Sequence, residues 1–167
     1  GVCGDGFYRS RMEQWISEMG LESNVTLYGY CTNIPEILGC ADAMAFPSKR
    51  EGLGMAGLEA LAMGIPVIAA DNRGTREYME HGTNGFVYRY DDADGFAEGI
   101  TAVRNLSGEQ RREMEVHCIN SVQQFDKNYA QAVMRRIYAG ADRKAVQETY
   151  ERQSENQHYN GYVQSHR

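Results

Sequence analysis

Short apolar runs alternate with amphipathic segments along the chain as far as about residue 104. The apolar runs predict strands at residues 1–3, 25–28, 42–46, 66–70 and 86–88. The segments between them predict helices at residues 7–19, after Asn33, at residues 54–63, from about Thr75 and at residues 92–103. Because strands and helices that alternate at this spacing are joined by right-handed crossovers, the pattern predicts an α/β fold with a doubly wound parallel sheet.

The pattern changes after residue 104. Residues 107–124 and 127–139 both have helical periodicity, and no strand-like run separates them. From residue 141 onward the apolar content falls, and Val146 and Val163 are the only branched aliphatic side chains there. We therefore expect an α/β domain over residues 1–104, C-terminal helices over residues 105–140 and a disordered polar tail over residues 141–167.

Composition and charge narrow the range of functions. The 167 residues carry a net charge of −6 and no dense cluster of Lys and Arg, whereas nucleic-acid binding needs a basic surface. No apolar run reaches the roughly 18 residues of a membrane-spanning helix. The four cysteines show no CxxC pair and no zinc-type spacing, which is typical of reduced thiols in a cytosolic protein. We expect a cytoplasmic protein that binds no nucleic acid.

The strongest chemical signal is a glycine-rich turn between an apolar strand and a predicted helix. Glu51 precedes this turn, Glu59 lies in the helix, and three glycines stand between them: Gly52, Gly54 and Gly57. Glycines let backbone amides approach a ligand, and unpaired N–H groups at a helix N-terminus attract phosphate. The glycines alone would suit a tight connection, but Glu59 stands among helix-core residues, where a carboxylate needs hydrogen-bond donors. The two carboxylates therefore favour a site for a phosphorylated sugar.

The stretch around this turn resembles the E-x7-E signature of retaining nucleotide-sugar glycosyltransferases of group 1 (family 4), which have the GT-B fold. The similarity extends over residues 1–139. Other positions that match the family's motifs are Gly4-Asp5-Gly6, residues 25–30, Ala41-Asp42, Pro47-Ser48, residues 58–67, Gly74, Glu77, Gly82, Asn84, Gly85, Phe86, Phe125 and Ile137-Tyr138. The resemblance implies that residues 1–104 are a Rossmann-like domain that binds a nucleotide sugar, in the C-terminal half of the GT-B fold.

The same resemblance implies a role for each residue of the turn. Glu51 would be the catalytic residue, because it would contact hydroxyls of the donor sugar and help place that sugar as the nucleotide departs. Glu59 would hold the ribose diol. The remaining donor-binding residues would be those of the turn and of the helix N-terminus, where backbone amides bind the diphosphate: Gly52, Leu53, Gly54, Met55 and Ala56.

The resemblance places the nucleotide base in a different loop. The base would lie near Tyr30, Cys31 and Ile34, in the loop that follows the second predicted strand. No metal and no cofactor are implied beyond the nucleotide-sugar co-substrate, and the sequence has no acidic cluster with the spacing of magnesium ligands.

Cationic side chains flank the predicted site. Arg73 is a candidate contact for the sugar or the acceptor, and a surface ion pair with Glu77 is the alternative. Lys49 and Arg50 could add charge near the phosphates, although charge runs usually form solvated loops. The sequence alone does not decide the roles of these three cationic residues.

The function implied by the resemblance is that of a retaining hexosyltransferase. It would use a UDP- or GDP-sugar, act on a polysaccharide or lipid-linked acceptor, and associate peripherally with the inner face of the membrane. The family's first strand–helix unit of this half, with an Arg and a Lys, and its acceptor-binding N-terminal domain have no counterpart here, so we expect the chain alone to be inactive. Alternatives are another GT-B enzyme, such as a sugar-nucleotide epimerase or a sucrose- or glycogen-type synthase, and a non-catalytic binding subunit.

Overall fold

The computed structural model describes residues 1–138, and the chain divides into two compact units, the first of which is Gly1–Cys40. Each unit is described by itself. The polar tail predicted for residues 141–167 lies outside the described residues. Within each unit the paired strands are parallel and alternate with helices, so the predicted α/β class is confirmed.

The first unit contains two short parallel strands and two helices. They follow the order β1 (Val2–Cys3), α1 (Arg9–Glu18), β2 (Leu27–Gly29) and α2 (Ile34–Leu38). Val2 pairs with Leu27, and Cys3 pairs with Gly29. Since the strands run in the same direction, the loops that follow them leave from the same edge of the pair.

The second unit is built on a three-stranded parallel sheet with the order β3 (Met44–Phe46), β4 (Val67–Ala70) and β5 (Gly85–Tyr88). The central strand, β4, is apolar and fully buried along its length, as expected for a strand covered on both faces. Val67 pairs with Gly85, and Ala70 pairs with Tyr88. The carboxyl ends of the three strands therefore share one edge of the sheet, and their amino ends share the other.

The helices of the second unit are α3 (Met55–Ala62), α4 (Ala93–Arg104), α5 (Gly108–Ser121) and α6 (Lys127–Tyr138). Side-chain caps fix the start of the last three, and before α6 the cap is Asp126, whose Oδ1 accepts from the Asn128 amide at 2.8 Å. The Asp92 carboxylate accepts a hydrogen bond from the Gly95 amide at 2.9 Å before α4, and Ser107 with Gln110 forms a capping box before α5. Among residues 1–138, none of the helices combines the length and the apolar character needed to cross a membrane.

The prediction of a helix that begins near Thr75 is wrong. The structure has a single 3-10 turn there (Thr75–Glu77). The Thr75 hydroxyl donates to the Ala70 carbonyl at 2.7 Å, and the Asn72 side chain accepts from the Thr75 amide at 3.1 Å. Because these side chains bind the backbone locally, they compete with the hydrogen bonds of a longer helix.

Candidate functional site

The carboxyl edge of the three-stranded sheet brings two loops together. The first joins β3 to α3 and contains Glu51, and the second follows β4 and contains Gly74. A Cβ added at Gly74 would lie 3.0 Å from the Cβ of Glu51 and 3.0 Å from the Cα of Leu53. The second loop thus packs directly on the first, at the edge where parallel sheets usually bind ligands.

The side chain of Glu51 is half-buried, and one of its two carboxylate oxygens forms a hydrogen bond within the protein. The Ser48 hydroxyl donates a hydrogen bond of 2.5 Å to Oε1 of Glu51. Within residues 1–138 the second carboxylate oxygen has no hydrogen-bond partner. One oxygen of Glu51 is therefore fixed by the protein, and the other can accept a hydrogen bond from a ligand hydroxyl.

The N-terminus of α3 follows Glu51 in the same loop. Gly54 has φ +83° and ψ +63°, and a Cβ there would lie 2.9 Å from both the Phe46 ring and the Tyr78 hydroxyl oxygen. Only glycine suits this position. Within residues 1–138 the amides of Gly54, Met55 and Ala56 donate no hydrogen bond, so the start of α3 presents free N–H groups, as the sequence predicts.

Tyr78, which the sequence reasoning missed, supports this helix start. Its buried hydroxyl donates to the Gly54 carbonyl at 3.1 Å. Burial, and secondarily the negative charge of Glu51, raises the pKa of Tyr78 to about 12. A Cβ at Gly57 would lie 2.5 Å from the same hydroxyl oxygen. A glycine inside a helix often marks such a close approach, so Gly57 is the sequence feature that could have indicated the contact with Tyr78.

Asn72 was missed as well. Its side chain is 7% exposed and lies in the loop that follows β4. The amide nitrogen donates to the Ser48 carbonyl at 2.8 Å, and Oδ1 accepts from the amides of Gly74 and Thr75 at 2.9 and 3.1 Å. This one side chain therefore connects the two loops of the carboxyl edge.

Glu59 departs from the environment that the sequence predicted for it. Leu58, Ala60 and Leu61 are buried, but Glu59 is on the exposed face of α3 and has no hydrogen-bond or ion-pair partner within residues 1–138. The predicted core environment of Glu59 is wrong, so burial does not require ligand donors for this carboxylate. Its predicted contact with ribose now rests on the family resemblance and on its free carboxylate.

The three residues predicted to contact the base lie in the first unit. Tyr30 is 82% exposed, Cys31 is half-buried, and Ile34 is the first residue of α2. The Cys31 thiol donates to the Gly29 carbonyl at 3.3 Å. Burial raises the pKa of Cys31, and the neighbouring Cys3 thiol adds to this effect. The three residues are neighbours after β2, and their role with the base stays a prediction.

The cations around the turn separate into different environments. Arg73 is exposed and forms no ion pair with Glu77 or with any other acid of the described residues. The Lys49 ammonium lies over the Tyr90 ring, 4.4 Å from its centroid. Arg50 is exposed. Arg73 and Arg50 are thus the two of these cations that no acid or aromatic ring of the described residues engages, and both can meet an anionic or hydroxyl-rich ligand. In residues 1–138, no group of three or more His, Cys, Asp or Glu side chains could hold a metal ion.

A family model described as "Glycosyl transferases group 1" matches residues 1–121. The chain belongs to this family. The match spans the glycine-rich turn, Glu51 and Glu59, and it confirms the resemblance noted in the sequence. The roles of the individual residues remain predictions.

Curated relatives match the chain over part of their length. EpsD of Bacillus subtilis (strain 168) is 39% identical over 98 residues, which is 59% of this chain and 26% of that protein. UDP-Gal:alpha-D-GlcNAc-diphosphoundecaprenol alpha-1,3-galactosyltransferase of Escherichia coli is 28% identical over 132 residues, or 75% of this chain and 34% of that protein. The chain thus spans about a quarter to a third of the length of these two relatives.

Solved structures of glycosyltransferases share the fold. Anabaena Alr3699/HepE in complex with UDP and glucose has a TM-score of 0.73 and is 26% identical, and the match covers 82% of this chain and 39% of that chain. The lipopolysaccharide outer core galactosyltransferase WaaB in its apo form has a TM-score of 0.68 and is 26% identical, covering 83% of this chain and 40% of that chain. The predicted Rossmann-like, C-terminal half of the GT-B fold is confirmed.

Proposed function

We propose that the protein containing this chain transfers a hexose from a UDP- or GDP-sugar to a glycan or lipid-linked acceptor, and that this chain binds the donor. One observation carries the proposal: Glu51, with a free carboxylate oxygen, lies in the same loop as a helix N-terminus with free amides. Carboxylates accept hydrogen bonds from sugar hydroxyls, and helix N-termini bind phosphate. This loop therefore offers partners to both parts of a sugar diphosphate.

The similar proteins support the nucleotide and the acceptor class. HepE was solved with UDP and glucose, and the Escherichia coli relative is named for UDP-Gal and a diphosphoundecaprenol acceptor. These names favour UDP over GDP and favour a lipid-linked acceptor. We propose on this basis a role in polysaccharide or glycolipid assembly at the cytoplasmic face of the membrane.

The geometry suggests how the leaving group is stabilised. When the bond between the anomeric carbon and the diphosphate breaks, negative charge builds up on the diphosphate. The free amides of Gly54, Met55 and Ala56 stand at the positive end of α3, where they stabilise this charge. Glu51 holds a hydroxyl of the sugar and thereby fixes the ring relative to the departing group.

Retention of the anomeric configuration belongs to the proposal. The acceptor would attack from the face that the diphosphate leaves, so the new glycosidic bond keeps the configuration of the donor. The coupling constant of the anomeric proton at the new glycosidic bond, measured by NMR on the isolated product, checks this expectation. A product of inverted configuration would contradict it.

The central test is Glu51→Gln in the native protein that contains this chain. The change keeps the shape of the side chain but removes its charge, so we expect kcat to fall about 100-fold while the UDP dissociation constant changes by less than about twofold. Steady-state kinetics and isothermal titration with UDP measure the two effects. Glu22→Gln, at an exposed position in the first unit, is the matched control and should behave like the wild type.

Glu59→Gln should show the opposite pattern. If Glu59 holds the ribose, UDP binding weakens about 10-fold and kcat changes little, because the ribose does not react. A Glu51→Gln enzyme with wild-type kcat would rule out the catalytic role of Glu51. A wild-type protein that binds UDP but transfers no sugar would instead favour a non-catalytic binding subunit.

A further inference from the structure

Asn72 is placed to act on the loop that contains Glu51. Its buried side chain uses both ends: the amide nitrogen donates to the Ser48 carbonyl at 2.8 Å, and Oδ1 accepts from Gly74 and Thr75. Ser48 lies 24 positions earlier in the chain. This is a contact between two loops at the carboxyl edge of the sheet.

Two chains of contacts connect Asn72 to Glu51. In the first, Asn72 fixes the Ser48 main chain, and the Ser48 hydroxyl donates to the Glu51 carboxylate at 2.5 Å. In the second, Asn72 fixes the Gly74 amide, and Gly74 packs closely on Glu51, since a Cβ at Gly74 would lie 3.0 Å from the Cβ of Glu51. Asn72 therefore restrains Glu51 from both neighbouring segments.

The loop after β4 does not depend on the contact with Ser48 to keep its own conformation. The Thr75 hydroxyl donates to the Ala70 carbonyl at 2.7 Å and accepts from the Asn72 amide at 3.1 Å. These bonds, together with those to Oδ1 of Asn72, satisfy the turn locally. The Asn72 amide nitrogen donates to the Ser48 carbonyl at 2.8 Å and makes a longer contact, 3.4 Å, with the Ala70 carbonyl of its own loop. The shorter bond is the one that leaves the turn, which favours a role in the site over a role in the turn alone.

We propose that Asn72 is a positioning residue for sugar transfer, because it sets the orientation of the Glu51 carboxylate through Ser48 and Gly74; this inference rests on the proposed function. Glu51 lies in a loop without regular secondary structure, so its side chain needs such support to meet a sugar hydroxyl in one geometry. A displacement of about 1 Å at a reacting centre can reduce the rate about 100-fold.

Asn72→Asp is the sharpest test because Asp has the same shape. The variant keeps Oδ1 as acceptor for Gly74 and Thr75 but places an oxygen instead of a donor against the Ser48 carbonyl. In the native protein we expect kcat to fall about 10- to 100-fold, with the UDP dissociation constant unchanged within about twofold. The stoichiometry of UDP binding in the same titration gives the folded fraction, so a fall in kcat at full stoichiometry separates a defect in the site from simple loss of folded protein.

Asn84→Asp is the matched control. Asn84 is 1% exposed, donates to the Tyr78 carbonyl at 2.7 Å and accepts from the Glu80 amide at 2.8 Å, but it lies at the amino edge of the sheet. We expect it to lose thermal stability as Asn72→Asp does and to keep kcat within about threefold. Equal kcat values for the two variants would overturn the inference.

Ser48→Ala keeps the test informative if Asn72→Asp fails to fold. This variant removes the hydroxyl that donates to Glu51 and leaves the Ser48 carbonyl in place. We expect kcat to fall about 10-fold, and in a foldable double variant the two losses should be less than additive, because both act through the same carboxylate. A wild-type kcat for Ser48→Ala overturns the inference. A wild-type protein without transferase activity overturns the proposed function itself, so the two failures are distinguishable.

Discussion

Two buried asparagines lie in turns at opposite edges of the same sheet. They form the same kinds of hydrogen bond but differ in what those bonds hold in place. Asn72 follows β4 at the carboxyl edge, and Asn84 precedes β5 at the amino edge. Both use the amide oxygen to accept from backbone N–H groups and the amide nitrogen to donate to a carbonyl. A buried side-chain amide requires hydrogen-bond partners for both its oxygen and its nitrogen.

The two asparagines differ in the distance along the chain to their partners. The side-chain partners of Asn84 lie within six residues, so its side-chain bonds close one local turn. Asn72 reaches Ser48, 24 residues away, and joins two loops. The amino edge is thus organised for stability, and the carboxyl edge is organised to hold Glu51 and the start of α3. This division agrees with the general tendency of parallel sheets to bind ligands at the carboxyl edge.

Gly85→Ala should break the amino edge and have the largest effect on the fold. Gly85 has φ +148°, and a Cβ there would lie 2.0 Å from the Val67 carbonyl oxygen, inside the pairing of β4 with β5. We expect hydrogen exchange of the amides of residues 67–70 to accelerate about 100-fold or more, as measured by mass spectrometry. Gly108→Ala, at the start of α5, is the control and should leave this exchange unchanged.

Gly74→Ala should instead disturb the carboxyl edge and lower both activity and stability. Gly74 has φ −70°, which alanine adopts without strain, but its Cβ would lie 3.0 Å from Glu51 and Leu53. We expect kcat to fall about 10-fold with a loss of stability of about 1–2 kcal/mol. Kinetics and urea denaturation measure both. Wild-type kcat in this variant would show that the packing of the two loops does not matter for transfer.

The pH dependence of stability also distinguishes the two edges of the sheet, and we expect this effect to be smaller. Cys118 contacts Asn84 at the amino edge, and Tyr78 lies near Glu51 at the carboxyl edge. Burial raises the pKa of Cys118 from 9.0 to about 12, and that thiol donates to the Asn84 carbonyl. Burial and the Glu51 charge raise the pKa of Tyr78 from 10.0 to about 12. Because both pKa values are raised, the stabilisation is complete below the unfolded pKa and is lost as pH rises toward about 12.

Variants separate the two contributions. Cys118→Ala should remove the part of the decline that begins near pH 9, and Tyr78→Phe the part that begins near pH 10. Glu51→Gln should lower the pKa of Tyr78 and leave that of Cys118 unchanged. Urea denaturation followed by circular dichroism, at pH values within and below these ranges, provides the unfolding free energies. An identical pH dependence for all variants would contradict the assignment.

Much of the fold can be predicted from local patterns. The apolar run of β4 identifies a buried strand, and the glycines before α3 identify a tight turn that opens a helix with free N–H groups. Both features depend on residues that are close in sequence, so periodicity and turn chemistry are sufficient. The 3-10 turn at Thr75–Glu77 was not predicted, because side-chain bonds from Asn72 and Thr75 replace helical ones.

The supports of the site could not be predicted in this way. Tyr78 and Asn72 each bind a carbonyl 24 residues earlier, and no local pattern reports a contact of that range. Glu59 shows the reverse case. Helical periodicity places Leu58 and Leu61 inward, and the neighbouring Glu59 faces outward, so adjacency to core residues was a poor guide to its burial.

The central claim is that the start of α3 binds the diphosphate of a nucleotide sugar, and NMR of the native protein labelled with ¹⁵N in Gly, Met and Ala tests it most directly. The spectra are compared during titration with UDP and with uridine. We predict that the amides of Gly54, Met55 and Ala56 shift with UDP but not with uridine, because only UDP carries the diphosphate. Shifts confined to other amides when UDP binds would contradict the account.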